Sequence, residues 1–197
     1  MESISTHPLV LFLRVMLRNP RSVSALAPSS KKLARAMTDG LNLKPDDVIM
    51  EMGPGTGALT AQIQEILPHS EAYLGIELEN KFVRLLQSQY PDLQFVEDTV
   101  AHAHQVHAQS GKAPVKVVIS GLAMSTLPSD VQEAFIDNLD KLIPPGSLFR
   151  MFQYVHAYHL PPAIRFRQRM SELFDEYHRS KVVLKNIPPA FVLTWTR

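Results

Sequence analysis

Glu51, Gly53, Gly55 and Gly57 lie close together in the stretch VIMEMGPGTGA, residues 48–58. An apolar run ends in a carboxylate, and glycines at alternate positions follow it. Glycine lets the backbone take positive φ, and it lets a ligand approach without meeting a Cβ. The next residues, LTAQIQEIL, have helical spacing, so a helix start presents free N–H groups to the same ligand. Strand, tight turn and helix predict a nucleotide-like cofactor site at the carboxyl end of the first strand of an α/β protein. Gly53, Pro54, Gly55, Thr56 and Gly57 are its expected lining. Glu77 stands about twenty residues beyond the last glycine, where a dinucleotide-type fingerprint places an acid for ribose hydroxyls. Asp98 and Ser120, at the ends of two later apolar runs, are expected on the same edge.

The chain that must position these groups has 197 residues, enough for one α/β domain with a full core and a small extension. Its formal net charge of +1 sets up no global field toward nucleic acid, although positive charge collects in the N-terminal third. The absence of cysteine excludes disulfides, thiolate nucleophiles and Cys-based zinc sites, and fits a reducing compartment. No apolar run is long enough to span a bilayer. His102, His104 and His107 share neither one helix face nor one strand face throughout, which argues against a metal site.

Residues 8–18, PLVLFLRVMLR, place Leu9, Phe12, Leu13, Met16 and Leu17 on one helical stripe and Arg14 and Arg18, with Arg21 beyond, on another. Glu2 and the interrupting arginines argue against a cleaved signal. The pattern suits a helix in a membrane interface, attracted to anionic lipid. It equally describes a helix packed on its own domain with a solvated arginine face, the commoner outcome. Asn19-Pro20 ends it. Ser30 then caps KKLARAMTD, and Gly40 closes that helix.

Strands are expected at 48–52, 72–78, 93–97, 115–120 and 148–155, with helices over 80–90, 101–109, 131–143 after Ser129 as cap, and 161–177. Two short strands, 181–186 and 190–196, follow around residues 187–189. Five alternating units argue for a parallel sheet with helices on both faces. The closing pair, joined by a few residues, is antiparallel. Residues 1–40 form an N-terminal helical extension and 41–197 the main domain.

A parallel sheet ending in one antiparallel strand is similar to that of class I methyltransferases, which use S-adenosylmethionine. Gly53-x-Gly55-x-x-Ala58 also satisfies the loose NAD pattern. Glu51, two residues before the first glycine, instead resembles methyltransferase motif I. The terminal strand pair fits the same family, and no second mononucleotide half remains. The resemblance implies a Rossmann-like α/β fold and S-adenosyl-L-methionine as cofactor. The backbone of 53–57 would line its methionine and ribose portion, and Glu51 would position its amino end. Glu77 would accept from both ribose hydroxyls, Asp98 would face the adenine amino group, and Ser120 would border the site.

A closer resemblance runs along nearly the whole chain, to bacterial phospholipid N-methyltransferases that convert phosphatidylethanolamine stepwise to phosphatidylcholine. It is carried by FLRVMLRNPRSVSALAPSS, VIMEMGPGTGALT, YLGIELENKF, VVISGLAMSTLP, FRMFQY and KNIPPAFVLTW. It implies a membrane-binding N-terminal helix at about 8–18, an anionic membrane surface as partner through residues 8–21, an aminolipid substrate, and a cytoplasmic protein held peripherally at the inner face of the membrane. One departure is Ala123, where the family has proline after Ser-Gly-Leu. Ribosomal RNA adenine dimethyltransferases place an Asn-Leu-Pro-Tyr type motif here. Ser120–Ala123 has neither the asparagine nor the aromatic, which with the low net charge argues against nucleic acid.

An aminoethyl head group has a pKa of roughly 10, so about one molecule in a thousand is neutral at pH 7. The enzyme must remove a proton or bind the neutral amine by desolvating it. Tyr154, His156, Tyr158 and His159, where the fifth strand ends, are the candidates. The resemblance favours Tyr154 as a catalytic group; His156 is the second candidate by its place alone, where a surface histidine is the commoner outcome. A trimethylated product is a permanent cation, which tyrosine faces favour. A methyltransferase of this fold acting on a soluble small molecule or RNA adenine, and a non-catalytic module binding S-adenosylmethionine or lipid, are the alternatives.

Overall fold

The computed structural model describes residues 30–124 and 127–197. The helix expected over 8–18 and the membrane contact expected through 8–21 lie outside them. Strands β1 (Val48–Met52), β2 (Tyr73–Glu77), β3 (Gln94–Glu97), β4 (Val115–Ser120), β5 (Leu148–Tyr154), β6 (Glu176–Arg179) and β7 (Ala190–Thr196) form one sheet, ordered β3-β2-β1-β4-β5-β7-β6. The first five are parallel to one another. β7 runs antiparallel between β5 and β6. This is the Rossmann-like sheet of class I methyltransferases, as the alternation of elements predicts.

β1 lies at the centre and is buried at all five positions. Its period-2 alternation sorts residues between two core layers. Val48, Met50 and Met52 pack with Leu74, Val118, Phe149 and Trp195 beneath helices α4 (Ala103–Ser110), α5 (Ser129–Leu142) and α6 (Pro161–Leu173). Ile49 packs with Tyr73, Ile119 and Phe152 beneath α1 (Lys31–Thr38), α2 (Thr60–Gln64) and α3 (Asn80–Gln89). Strands covered on both faces read as apolar runs, which is why β1 and β4 stand out in the sequence.

Helix α1 is fastened at both ends. Ser30 caps it, its Oγ accepting from Leu33 N at 3.2 Å, while Ser30 N donates to Asn186 Oδ1 at 3.0 Å. At the other end Arg150 donates to the carbonyls of Met37 and Asp39 (3.2 and 2.7 Å) and to Thr194 Oγ1 (3.0 Å). A guanidinium thus satisfies carbonyls that a helix C-terminus leaves open.

Three local expectations are corrected. The last helix stops at Leu173 instead of reaching 177, and the penultimate strand is Glu176–Arg179, not 181–186. β6 is an edge strand exposed at all four positions, so no apolar alternation marks it. Residues 181–186 instead lie in the β6–β7 connection, where Val183 makes a single bridge to Ala190. Ser129 is the first residue of α5, and Pro128 occupies the cap position without a side-chain bond.

Phe149 is fully buried, with ring centroids 5.6 Å from Phe135, 5.8 Å from Trp195 and 6.5 Å from Phe174. Phe149→Ala is expected to cost about 3–5 kcal/mol of stability. Urea unfolding followed by the emission of Trp195, the chain's one tryptophan, measures it.

Candidate active site

The chain winds outward in one direction from β1 through β2 to β3, and in the other through β4 to β5. The crevice at that reversal, beyond the carboxyl ends of the strands, is where this class of sheet binds ligands. The glycine turn lies there. Gly53, Gly55 and Gly57 have φ of 70°, 58° and 85°, the left-handed region that glycine takes without strain. Gly53 N donates to Ile76 O at 2.9 Å and Gly121 N to Met52 O at 2.8 Å, tying the turn to β2 and to the end of β4. A Cβ on Gly53 would overlap Leu122, and one on Gly121 would meet Gly53 O at 2.6 Å. A Cβ on Gly55 would meet nothing within 4 Å. The turn is therefore packed against β4 on one side and open at Gly55. Pro54 is buried, its carbonyl accepting from Gly57 N at 3.0 Å, and Thr56 is half-buried.

Glu77 faces this open side. Its carboxylate accepts from Gly55 N and Glu79 N, both at 2.9 Å. It is 7% exposed, and burial raises its pKa against the pull of those N–H groups. Each carboxylate oxygen keeps a further lone pair for a hydroxyl donor. Asp98 stands alongside, its N donating to Glu77 O at 3.1 Å, and its Oδ1 accepts from Thr99 N (2.7 Å) and from His102 (2.8 Å). Leu78, next to Glu77, is 58% exposed and offers an apolar face that the sequence analysis did not single out.

Glu51 is completely buried. Its Oε2 accepts from Tyr73 OH at 2.5 Å and Thr60 Oγ1 at 2.8 Å. Gly75 of β2 pairs with Glu51 in register, and a Cβ there would meet Tyr73 OH at 2.8 Å, so the absent side chain leaves room for this bond. Burial lifts the Glu51 pKa to about 7, opposed by the two donors. Its Oε1 is buried with no partner among the described residues. Tyr73 and Thr60 were not singled out by the sequence. Their signal was weak: one polar atom on each of two elements that otherwise read as core.

Ser120 is buried at the end of β4, its Oγ accepting from Leu122 N at 3.3 Å. Tyr154 closes β5, and its ring stacks on the exposed His156, with centroids 5.6 Å apart and planes within 10°. Val155 N, between them, donates to Pro189 O at 2.9 Å, which brings the β6–β7 connection to this edge. Tyr158 and His159 are not part of that stack. Tyr158 packs in the α6 layer, under Arg167 at 3.8 Å, whereas Tyr154 belongs to the α1 layer. His102 is engaged by Asp98, and His107 by the carbonyl of Ala113.

The orphaned oxygen of Glu51, the open flank of Gly55 and the lone pairs of Glu77 fit a ligand that has a cationic amino end and a ribose. The family model of ribosomal RNA adenine dimethylase matches residues 29–113. The ornithine lipid N-methyltransferase of Singulisphaera acidiphila is 24% identical over 183 residues, covering 91% of each chain. Ribosomal RNA small subunit methyltransferase A of Alkaliphilus metalliredigens is 29% identical over 166 residues, 79% of this chain, which spans only 54% of that protein. Among solved structures, an O-methyltransferase from Bacillus cereus in complex with SAH superposes over 99% of this chain and 93% of its own, with TM-score 0.62 and 12% identity. A precorrin-6y C5,15-methyltransferase from Geobacter metallireducens covers 91% and 95%, with TM-score 0.62 and 12% identity. The chain is a class I methyltransferase, and its cofactor is S-adenosylmethionine.

Glu77→Ala removes a buried charged acceptor, and calorimetric titration is expected to show S-adenosylmethionine binding about 10- to 100-fold weaker. Glu51 generates a pH dependence. With its folded pKa near 7 above the unfolded value, the folded state holds the extra proton. Stability without cofactor is therefore expected to fall as pH rises from about 4.5 to 7, by about 3 kcal/mol. Denaturant titrations across that range should show the slope, and Glu51→Gln should flatten it.

Proposed function

We propose that the protein N-methylates the amine head group of an aminolipid, phosphatidylethanolamine or a relative of it, at a membrane surface. The observation that carries this reading is the end-to-end correspondence with an ornithine lipid N-methyltransferase, 91% of both chains. The ribosomal RNA family model, by contrast, ends at residue 113. Its match covers β1, β2 and β3, which hold the cofactor, and stops before β4, where acceptor-facing loops begin. The Ser120–Ala123 segment also lacks the asparagine and aromatic that the sequence reading expects of an RNA adenine enzyme. The arginine-striped segment 8–21 is proposed to bind anionic lipid, and the protein to work at the cytoplasmic face of the membrane. RNA adenine is the second reading, supported by the same family model.

S-adenosylmethionine, when bound, supplies an electrophilic methyl for in-line displacement by the acceptor nitrogen. The chain's part is orientation, water exclusion and proton removal. Glu77 and the Gly53–Gly57 backbone hold the cofactor, and Glu51 positions its amino end. At the acceptor side, His156 takes the proton of the incoming ammonium, so that a neutral nitrogen faces the methyl. The buried Tyr154 ring fixes the imidazole by stacking, and its π face favours the cation that each methylation leaves behind.

Mass spectrometry of lipids from a host expressing the protein tests the reading. Mono-, di- and trimethylated aminolipid is expected. A folded, cofactor-binding protein that leaves the lipids unmodified and methylates RNA would refute it. His156→Ala is expected to slow transfer about 100-fold at pH 7. The loss should shrink near pH 10, where about half of the amine is already neutral.

A further inference from the structure

The connection between β6 and β7, residues 180–189, carries the two most exposed large apolar side chains among the described residues, Leu184 at 75% and Ile187 at 84%. One exposed apolar residue is ordinary. Two in one short connection, at the catalytic edge, are not dispersed surface. Nor does the backbone between them hang loose. Asn186 is 3% exposed; its Oδ1 accepts from Ser30 N at 3.0 Å and its Nδ2 donates to Pro188 O at 2.7 Å. Pro189 O is held by Val155 N at 2.9 Å. With Asn186 and Pro189 anchored, Leu184 and Ile187 are presented outward by a fixed backbone.

Three lysines lie on the connection and the neighbouring helix start. Lys181 and Lys185 are exposed on the connection, and Lys32 is exposed in the first turn of α1. The Ser30–Asn186 bond brings the first turn of α1, with Lys32, beside the part of the connection that holds Lys185, and this neighbour lowers the Lys32 pKa. None of the three lysines has a carboxylate partner among the described residues. Two ammonium groups held together without an acid repel, and an anion between them removes the repulsion. Apolar tips bordered by lysines match a bilayer interface, with its acyl boundary beneath anionic headgroups. A nucleic-acid backbone would satisfy the lysines but leave Leu184 and Ile187 in water.

We propose that residues 180–189 together with Lys32 form a lipid-contact site, separate from segment 8–21. In it Leu184 and Ile187 enter the acyl–headgroup boundary, and Lys32, Lys185 and Lys181 engage phosphate oxygens of anionic lipids. The proposal rests on the aminolipid reading and deepens it. Because Pro189 is bonded to Val155, beside Tyr154 and His156, seating this connection in the interface sets the acceptor side against the lipid headgroups.

The test is co-sedimentation of the full chain with vesicles of phosphatidylcholine and phosphatidylglycerol, which contain no amine acceptor. Two double variants are compared, Leu184→Ser/Ile187→Ser and Lys32→Glu/Lys185→Glu. All four side chains are solvent-exposed, so both variants are expected to keep the S-adenosylmethionine titration of the parent. Each is expected to lower vesicle partitioning about tenfold. The lysine reversal should also weaken the preference for anionic over neutral vesicles, leaving only the share that segment 8–21 supplies. Parental partitioning in both variants would overturn the proposal. So would a polyanion surface, seen as RNA binding that the lysine variant loses and the Leu184/Ile187 variant keeps, without vesicle binding by the parent. Methyl transfer to a micellar aminolipid, measured in parallel, separates the two readings. A parent that partitions through these residues yet methylates no aminolipid leaves the contact standing and removes the substrate.

Discussion

The carboxylate of Glu51, buried between β1 and the first turn of α2, is the constraint on which the cofactor site depends. A buried charge without partners costs several kcal/mol, so the sheet must bring it donors. Tyr73 arrives from β2 and Thr60 from α2, and Gly75 leaves the space in which Tyr73 reaches it. These bonds tie the strand before the glycine turn to the helix after it. The turn cannot relax without disturbing them, which keeps the N–H of Gly55 on Glu77. One oxygen of Glu51 remains unpartnered among the described residues. A site with that much uncompensated polarity is poised for a cation.

The second organising feature is the position of α1. It lies under β5 and β7, its N-terminus held by Asn186 and its C-terminus by Arg150. Both contacts span more than a hundred residues of sequence. They set the beginning of α1 at the same edge as Tyr154, His156 and the β6–β7 connection. On the proposed reading, cofactor binding and acceptor handling divide along the chain. The half before β4 supplies the glycine turn, Glu51, Glu77 and Asp98, and the half after it supplies Tyr154, His156 and residues 180–189. The ribosomal RNA family model ends before β4, whereas the lipid relative's match spans both halves.

The class of fold and the cofactor turn were legible because their signals are local. Gly53, Gly55 and Gly57 need positive φ whatever surrounds them. Val48–Met52 and Val115–Ser120 are apolar apart from Glu51, Lys116 and Ser120 because helices cover both sheet faces. Ser30 reads as a cap because its partner is three residues away. β6 was misplaced because an exposed edge strand has no buried face to impose alternation on Glu176–Arg179, while the apolar residues of 181–186 imitate a strand without pairing as one.

What the tertiary structure alone decided is the company each group keeps. In the sequence Glu51 is an acid before a glycine turn; burial and two donors from other elements make it a carboxyl that titrates near neutrality. Spacing alone does not separate Tyr154, His156, Tyr158 and His159, but the strand end and the turn after it stack the first two and send Tyr158 to the opposite core layer. Leu184, Ile187 and Lys185 carry no motif. They acquire meaning only because Asn186 is pinned to Ser30, which turns them outward beside Lys32. Side-chain type and spacing follow from the chain's own order, whereas burial, charge pairing and exposure are properties of neighbours that only folding assigns.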